Sequence, residues 1–266
     1  MKKWHEIGKE LRRYLNPETF PVAVKFLERT ADIPEKTRFP LKDLGVKLAH
    51  CQVSAMVRKY GWTMAVTPDD LGCGISGHTH GWMPADREGA VDFLTRMNYA
   101  ADEAAAVRMF ESFRTLEPGK CGAVVYSPLE WTKVPPDVVL IYLNPARLMR
   151  CLHGSTCRGG EPVTSSFSGR AASCTEGAIA AFLDRAPKVV APGNGDRVWA
   201  GAQDHEMIYA VPASHLETMI QGLADTHARG VRYPVPTYLR FQPEVAFSLP
   251  LLDVFKKAGK TKGPGG

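Results

Sequence analysis

Six cysteines are the residues of this sequence with the widest chemical range. They are Cys51, Cys73, Cys121, Cys151, Cys157 and Cys174. No two of them form a Cys-x-x-Cys pair, so the spacing of zinc ribbons, thioredoxin-type motifs and ferredoxin-type cluster runs is absent. A secreted disulfide scaffold is also disfavoured, because the chain is long and poor in cysteine. Any metal site built from these thiols must draw its ligands from distant segments.

Three of the cysteines stand in settings that favour a thiolate. Cys51 lies in the middle of an expected helix, Cys73 is flanked by two glycines, and Cys174 directly precedes an expected helix. Glycine lets backbone N–H groups approach a sulfur, and a helix start stabilises negative charge. Thiolates that accept such hydrogen bonds suit an iron–sulfur cluster. Cys121 and Cys151 are predicted to be packing residues, and Cys157, beside an arginine, is a weaker candidate.

A rival metal site is suggested by two histidines close to Cys73. If the segment around His78 and His80 is extended, both imidazoles point to one side. Together with Cys73 they would then form a zinc-like or haem-like pocket. The alternative is a polar loop with two exposed histidines.

A glycine-rich turn at residues 192–197 is a candidate anion site. Asn194 lies between two glycines, and Arg197 follows with a guanidinium that can grip a carboxylate or phosphate. Asp204 and Glu206 come soon after and are candidates for acid–base catalysis. The plainer alternative is a turn between two strands, with an ion pair to Arg197.

Composition and charge limit the class of protein. The chain has 266 residues, 44% of them hydrophobic, and a net charge of +5. The positive charge lies at the two ends, residues 1–60 and 256–266, whereas the body is acidic. This distribution argues against a nucleic-acid partner, and no apolar run is long enough for a membrane helix. The start of the chain also lacks the apolar stretch of a signal peptide. We expect a soluble, cytoplasmic protein with a flexible basic tail at 256–266.

Periodicity in the sequence predicts alternating helices and strands within a single domain, residues 1–255. The predicted helices cover residues 4–15, 43–60, 86–97, 102–113, 146–152, 175–184 and 214–227, the last capped by Ser214. The predicted strands cover 21–27, 64–67, 123–127, 137–143, 188–191 and 207–211. Residues 153–169 are predicted as a loop with an edge strand, and 233–250 as an irregular, proline-rich end. The mixture indicates an α+β or mixed α/β fold with a mixed sheet flanked by helices.

Several segments, taken in order, resemble the family known as domain of unknown function 169. They include Pro21–Phe26, His50-Cys51-Gln52, Thr67–Cys73, Ser127-Pro128-Leu129, Pro136–Pro145, Gly169–Cys174, Pro192–Arg197 and Asp204–Met207. The resemblance spans roughly residues 6 to 250. It implies one domain of a kind found in bacteria and archaea with anaerobic metabolism, and a thiolate-ligated cluster. Cys51, Cys73 and Cys174 are the cysteines that fall within its motifs.

The leading functional prediction is a cytoplasmic [4Fe–4S] protein with Cys51, Cys73 and Cys174 as ligands. Three ligands leave one iron open to act as a Lewis acid on a small anionic substrate. Arg197 and Asn194 would hold that substrate, and Asp204 or Glu206 would move a proton. Alternatively, Cys157, Cys151 or His78 completes the ligand set, and the cluster passes electrons to a redox partner. A Cys/His zinc site and a metal-free anion-binding module remain further alternatives, so catalysis itself is left open.

Overall fold

A six-stranded sheet forms the centre of the fold. The computed structural model describes residues 2–84 and 86–235. The strands are β1 (Val22–Leu27), β2 (Met64–Val66), β3 (Ala123–Pro128), β4 (Val138–Leu143), β5 (Lys188–Val190) and β6 (Met207–Pro212). They are ordered β2-β3-β1-β4-β6-β5, and each neighbouring pair is antiparallel.

Both faces of this sheet are covered, and the central strand β4 shows why. All six of its residues are apolar or aromatic, and all are buried. Because side chains alternate across a strand, Leu140 and Tyr142 enter one core, while Ile141 and Leu143 enter the other. A strand of this composition requires a helical layer on each side.

Three amphipathic helices form the first layer: α1 (Lys2–Leu15), α7 (Pro145–Gly159) and α10 (Leu216–Ala228). The last two approach each other closely, because glycines face each other at their crossing. A β-carbon added at Gly222 would collide with the carbonyl oxygen of Gly154. The apolar stripe of α1, which includes Leu11 and Leu15, packs into the same core.

The second layer contains α3 (His50–Tyr60) and a π-helix, Ala172–Ile179, which continues into α8 (Ala180–Asp184). The prediction of one helix over 43–60 is wrong, because α2 (Pro40–Leu44) ends at Gly45, whose φ is +73°. Cys51 therefore lies in the first turn of α3 rather than in the middle of a helix. This layer faces the candidate site.

The remaining helices are short or stand apart from the sheet. They are α4 (Gly74–Thr79), α5 (Arg87–Arg96), α6 (Glu103–Glu111) and α9 (Asn194–Val198), and 3₁₀ turns occur at Thr30–Asp32, Pro68–Asp70, Leu129–Trp131 and Ala213–His215. Asp86 and Asp102 cap α5 and α6 by accepting hydrogen bonds from the backbone N–H groups of Gly89 and Ala105.

The predicted α+β class, with a sheet flanked by helices, is confirmed, although the strand pairs are all antiparallel rather than mixed. Besides the helix over 43–60, four local predictions are wrong. Helix α7 continues to Gly159, residues 160–169 form no edge strand, the turn at 192–196 contains the start of α9, and Ser214 bonds to His215 instead of capping α10.

The predicted basic tail and most of the irregular segment 233–250 lie outside the described residues, as does the end of the predicted domain at 255. Within residues 2–84 and 86–235, no helix has the length and apolar character needed to cross a membrane.

Candidate functional site

Cys51, Cys73 and Cys174 line one cavity of about 390 Å³. Cys51 belongs to α3, Cys73 immediately precedes α4, and Cys174 belongs to the π-helix. Although 122 residues lie between Cys51 and Cys174 in the sequence, folding places both cysteines in the lining of this cavity. The volume is within the range of small-molecule and cofactor sites.

Ser76 links two of the three sulfur atoms. Its hydroxyl oxygen lies 3.4 Å from Sγ of Cys73 and 3.5 Å from Sγ of Cys174. Cys51 packs in the same small apolar cluster as Cys73, and a β-carbon added at Gly195 would lie 4.0 Å from Sγ of Cys51. The three cysteines therefore line one cavity, and Ser76 contacts two of them.

Each of the three cysteines stands at the beginning of a helix. Cys51 is the second residue of α3, Cys73 is the residue before α4, and Cys174 is the third residue of the π-helix. The first N–H groups of a helix have no partner within that helix, and they favour negative charge nearby. A thiolate at any of these positions would gain from that field.

The π-helix is the most unusual backbone at the site. The N–H groups of Thr175 and Glu176 both donate to the carbonyl oxygen of Ala171, over 3.0 and 3.1 Å. Ala171 itself has a left-handed backbone, with φ +47°. π-helical turns are rare and are frequently found at functional sites, so Cys174 lies where the fold departs from regular helix.

Burial keeps two of the thiols protonated when no metal is bound. It raises the pKa of Cys174 to about 12 and raises the pKa of Cys51 well above its ordinary value. The hydrogen bond to Ser76 partly opposes this effect at Cys174. A metal that bound these thiols would have to displace their protons, because metals bind the thiolate.

Asp196 is the buried carboxylate of the site. It lines the cavity and is only 3% exposed. Its Oδ2 accepts hydrogen bonds from the backbone N–H groups of Gly193 (3.2 Å) and Ser173 (3.4 Å), whereas Oδ1 has no partner among the described residues. Burial raises the pKa of Asp196. Asp196 is not among the predicted site residues, although its position three residues after Gly193 is one from which a carboxylate caps a helix start.

The two predicted anion-binding residues are separated by the structure. Asn194 lines the cavity, and its Nδ2 donates to the hydroxyl of Tyr99 over 2.7 Å. Arg197 is not among the lining residues; its Nη1 lies 3.3 Å from Oδ1 of Asp204 and 3.2 Å from the carbonyl oxygen of Gln203. Asp204 is fully exposed. This arrangement is the ion pair to Arg197 that the sequence offered as the plainer alternative to an anion site.

Glu206 is part of a buried ion pair with Arg58, and neither residue lines the cavity. Its carboxylate accepts from Nη1 and Nη2 of Arg58 over 2.5 and 3.0 Å, and from the backbone N–H of Gln203 over 2.8 Å. Burial alone would raise the pKa of Glu206, but the ion pair with Arg58 and the hydrogen bond from the backbone N–H of Gln203 lower it. Neither Glu206 nor Asp204 lines the cavity, and their catalytic role stays a prediction.

The histidine alternative is not assembled in the structure. His78 lies in α4 rather than in an extended segment, and its ring stacks on Phe110 with centroids 4.6 Å apart. His80 is fully buried, stacks on His50 with centroids 4.0 Å apart, and bonds through Nδ1 to the carbonyl oxygen of Ser76 (2.7 Å). Across residues 2–84 and 86–235, no three His, Cys, Asp or Glu side chains form a group that could hold a metal ion.

The other cysteines lie away from the cavity. Cys151 is buried in the core on the opposite face of the sheet, and Cys157 is exposed further along the same helix, α7. Cys121 is buried beside β3, and its Sγ lies 3.5 Å from the carbonyl oxygen of Ala123. Of the residues predicted as alternatives for a fourth ligand, only His78 reaches the cavity.

The fold and the site define an α+β protein in which an antiparallel sheet supports a cavity lined by three cysteines. The chain belongs to the family described as "Uncharacterised ArCR", domain of unknown function 169, which matches residues 10–222. It is also similar to the uncharacterised protein MJ0308 of Methanocaldococcus jannaschii, with 24% identity over 204 residues, covering 76% of this chain and 85% of that protein. No solved structure matches the chain.

Proposed function

We propose that Cys51, Cys73 and Cys174 hold a [4Fe–4S] cluster and that the cavity beside it receives a small substrate. Cysteine thiolates are the usual ligands of such clusters. With three protein ligands, the bound cluster would supply one iron with an open position, which acts as a Lewis acid on a hydroxyl, carboxylate or sulfur group. The six cysteines are all free, and we propose the cytoplasm, where thiols stay reduced, as the place of action.

The observation that carries this proposal is the shared cavity of three thiols from distant segments. Among the described residues, the side chains do not form a group already closed around a metal ion, so any cofactor would have to draw the three thiolates together as it binds.

Residues of the chain would supply the remaining functions of the site. The Ser76 hydroxyl can donate to the Cys73 or Cys174 thiolate, which offsets negative charge next to the cofactor. Asp196, with one free carboxylate oxygen and a raised pKa, is suited to hold and transfer a proton within the cavity. This assigns to Asp196 the acid–base role predicted for Asp204 or Glu206.

Electron transfer through a closed cluster is the second candidate. The free Oδ1 of Asp196 and the imidazole of His78 both belong to side chains that line the cavity. Either one would be a fourth ligand that leaves no open iron. In that case the protein would pass electrons to a redox partner instead of binding a substrate.

Replacement of each cysteine by serine tests the proposed function. Protein prepared without oxygen should contain iron and acid-labile sulfide, and Cys51→Ser, Cys73→Ser and Cys174→Ser should each lose most of both. Cys157→Ser is the matched control, because Cys157 is exposed and distant from the cavity. Equal iron content in all four variants would contradict the proposal.

A further inference from the structure

The helical hairpin formed by α5 and α6, residues 87–113, folds around a core of its own. Four buried residues make up this core: Val91, Leu94, Ala100 and Ala106. The partly buried residues that pack against them also belong to the hairpin. Among the described residues, neither α5 nor α6 packs extensively on another helix or strand, apart from their contact with each other. A unit with a separate core and few outside contacts can move without disrupting the main core of the protein.

The hairpin is joined to the rest of the chain through a narrow neck. The backbone N–H of Leu116 donates to the carbonyl oxygen of Thr79 over 2.8 Å, so the segments that enter and leave the hairpin lie side by side. They also meet at Gly81, where an added β-carbon would lie 2.9 Å from the carbonyl oxygen of Glu117. Gly81 has a φ of +70°, a left-handed conformation that favours glycine. Two adjacent connecting segments can act together as a hinge.

The cavity is lined both by this hairpin and by the body of the molecule. Ala90 and Phe93 line it from the hairpin, whereas Cys51, Cys174 and Trp199 line it from the body. Cys51 and Cys174 are only 9% and 6% exposed. A cofactor or substrate that reacts with thiols buried to this extent needs an entry path.

Tyr99, between α5 and α6, fastens the hairpin to the body. Within the part of the chain that the structure describes, the hydrogen bonds that join the hairpin to other segments all involve this residue. Its hydroxyl accepts from Nδ2 of Asn194 over 2.7 Å, and its carbonyl oxygen accepts from the Arg170 guanidinium, whose carbon lies 5.3 Å from the centre of the Tyr99 ring. The ring of Phe110 also stacks on His78. The closed position is therefore held by a small set of contacts.

We propose that the hairpin is a lid, which opens about the neck and admits the cofactor or the substrate to the buried cysteines. Each bond at Tyr99 contributes little to stability, so the closed and open positions exchange without unfolding of the sheet. Entry of a cluster rests on the proposed function, whereas the movement of the hairpin does not.

Alkylation of the cysteines in the reduced, metal-free protein tests the lid. Fluorescein maleimide is too bulky to reach a buried thiol, so the rate at which it labels Cys174, followed by peptide mass spectrometry, reports the open population. Tyr99→Phe removes only the hydroxyl that Asn194 contacts, and it should speed the labelling of Cys174 roughly fivefold. Tyr60→Phe is the matched control and should label at the parent rate, because Tyr60 is 64% exposed and does not line the cavity.

Two other cysteines separate opening of the lid from unfolding. Cys157 is exposed and should be labelled rapidly in every variant, whereas Cys151, buried on the opposite face of the sheet, should stay protected. Faster labelling of Cys174 in Tyr99→Phe, with Cys151 still protected, supports the lid whatever the iron content of the protein. An unchanged rate at Cys174, an equal increase at Cys151, or the same increase in Tyr60→Phe would overturn it.

Discussion

Replacement of Glu206 by glutamine distinguishes a structural carboxylate from a catalytic one. Glu206 and its partner Arg58 are 6% and 2% exposed. The carboxylate accepts two hydrogen bonds from the guanidinium and a third from the backbone N–H of Gln203. A glutamine side chain keeps the shape but loses the charge, and its amide N–H₂ group faces the donors of Arg58.

The expected loss of stability in Glu206→Gln follows from the buried charge of Arg58, which the substitution leaves without a partner. Removal of one partner of a buried ion pair costs about 3–5 kcal/mol, because the remaining charge is uncompensated. The ring of Tyr142, whose centroid is 4.0 Å from the Arg58 guanidinium carbon, retains part of the compensation. We therefore expect the free energy of unfolding to fall by about 3 kcal/mol, the lower end of that range. This change lowers the melting temperature by roughly 6–12 °C.

Urea unfolding at a series of pH values is the assay. The pKa of Glu206 in the folded protein is below its ordinary value of 4.5. Its stabilisation is therefore fully present above the unfolded-state pKa and is lost as the pH falls through the lower folded-state value. The difference in unfolding free energy between the parent protein and Glu206→Gln should be largest near neutral pH and shrink in acid below about pH 4.5.

Asp204→Asn provides the control for this experiment, because Asp204 is fully exposed and pairs only at the surface with Arg197. Its unfolding midpoint should equal that of the parent protein. A Glu206→Gln variant as stable as the parent at neutral pH, or a difference that grows in acid, would refute the assignment of Glu206 to a buried structural pair.

Two further substitutions test the site and the scaffold. Ser76→Ala removes the hydroxyl that contacts the sulfur atoms of two cysteines. The reduction potential of the iron-loaded protein should therefore shift while the fold is kept. An unchanged potential in a redox titration would argue against that contact. Gly222→Ala should destabilise the protein by about 1–3 kcal/mol, because the added methyl group meets the backbone of Gly154. Gly159→Ala, which meets no atom within 4 Å, should not reduce stability in the same urea assay.

Local features of the sequence were enough to predict most of the scaffold. The apolar run of β4 and the cap at Asn144, which accepts a hydrogen bond from the backbone N–H of Arg147, depend on neighbours a few residues away. The division of residues 43–60 into two helices also had a local signal, since Gly45 adopts a positive φ that favours glycine. The sequence contains no local signal for the π-helix, because its backbone hydrogen bonds depend on the packing of the Cys174 segment against the sheet.

The candidate site was predicted in part. The three cysteines chosen from their local settings do line one cavity. The role of Glu206 depends on Arg58, a residue 148 positions away, and the spacing of the acidic residues near 204–206 carries no information about that partner. Asp196 was overlooked because its burial is a tertiary property, produced where α9 meets the π-helix.

The metal content of the anaerobically purified parent protein decides whether the three cysteines hold a cluster. Iron and acid-labile sulfide should be present in equal amounts, about four of each per chain, as expected for one [4Fe–4S] cluster. Zinc in place of iron, or a metal-free protein in which Cys51, Cys73 and Cys174 remain free thiols after reconstitution with iron and sulfide, would contradict the proposed cluster.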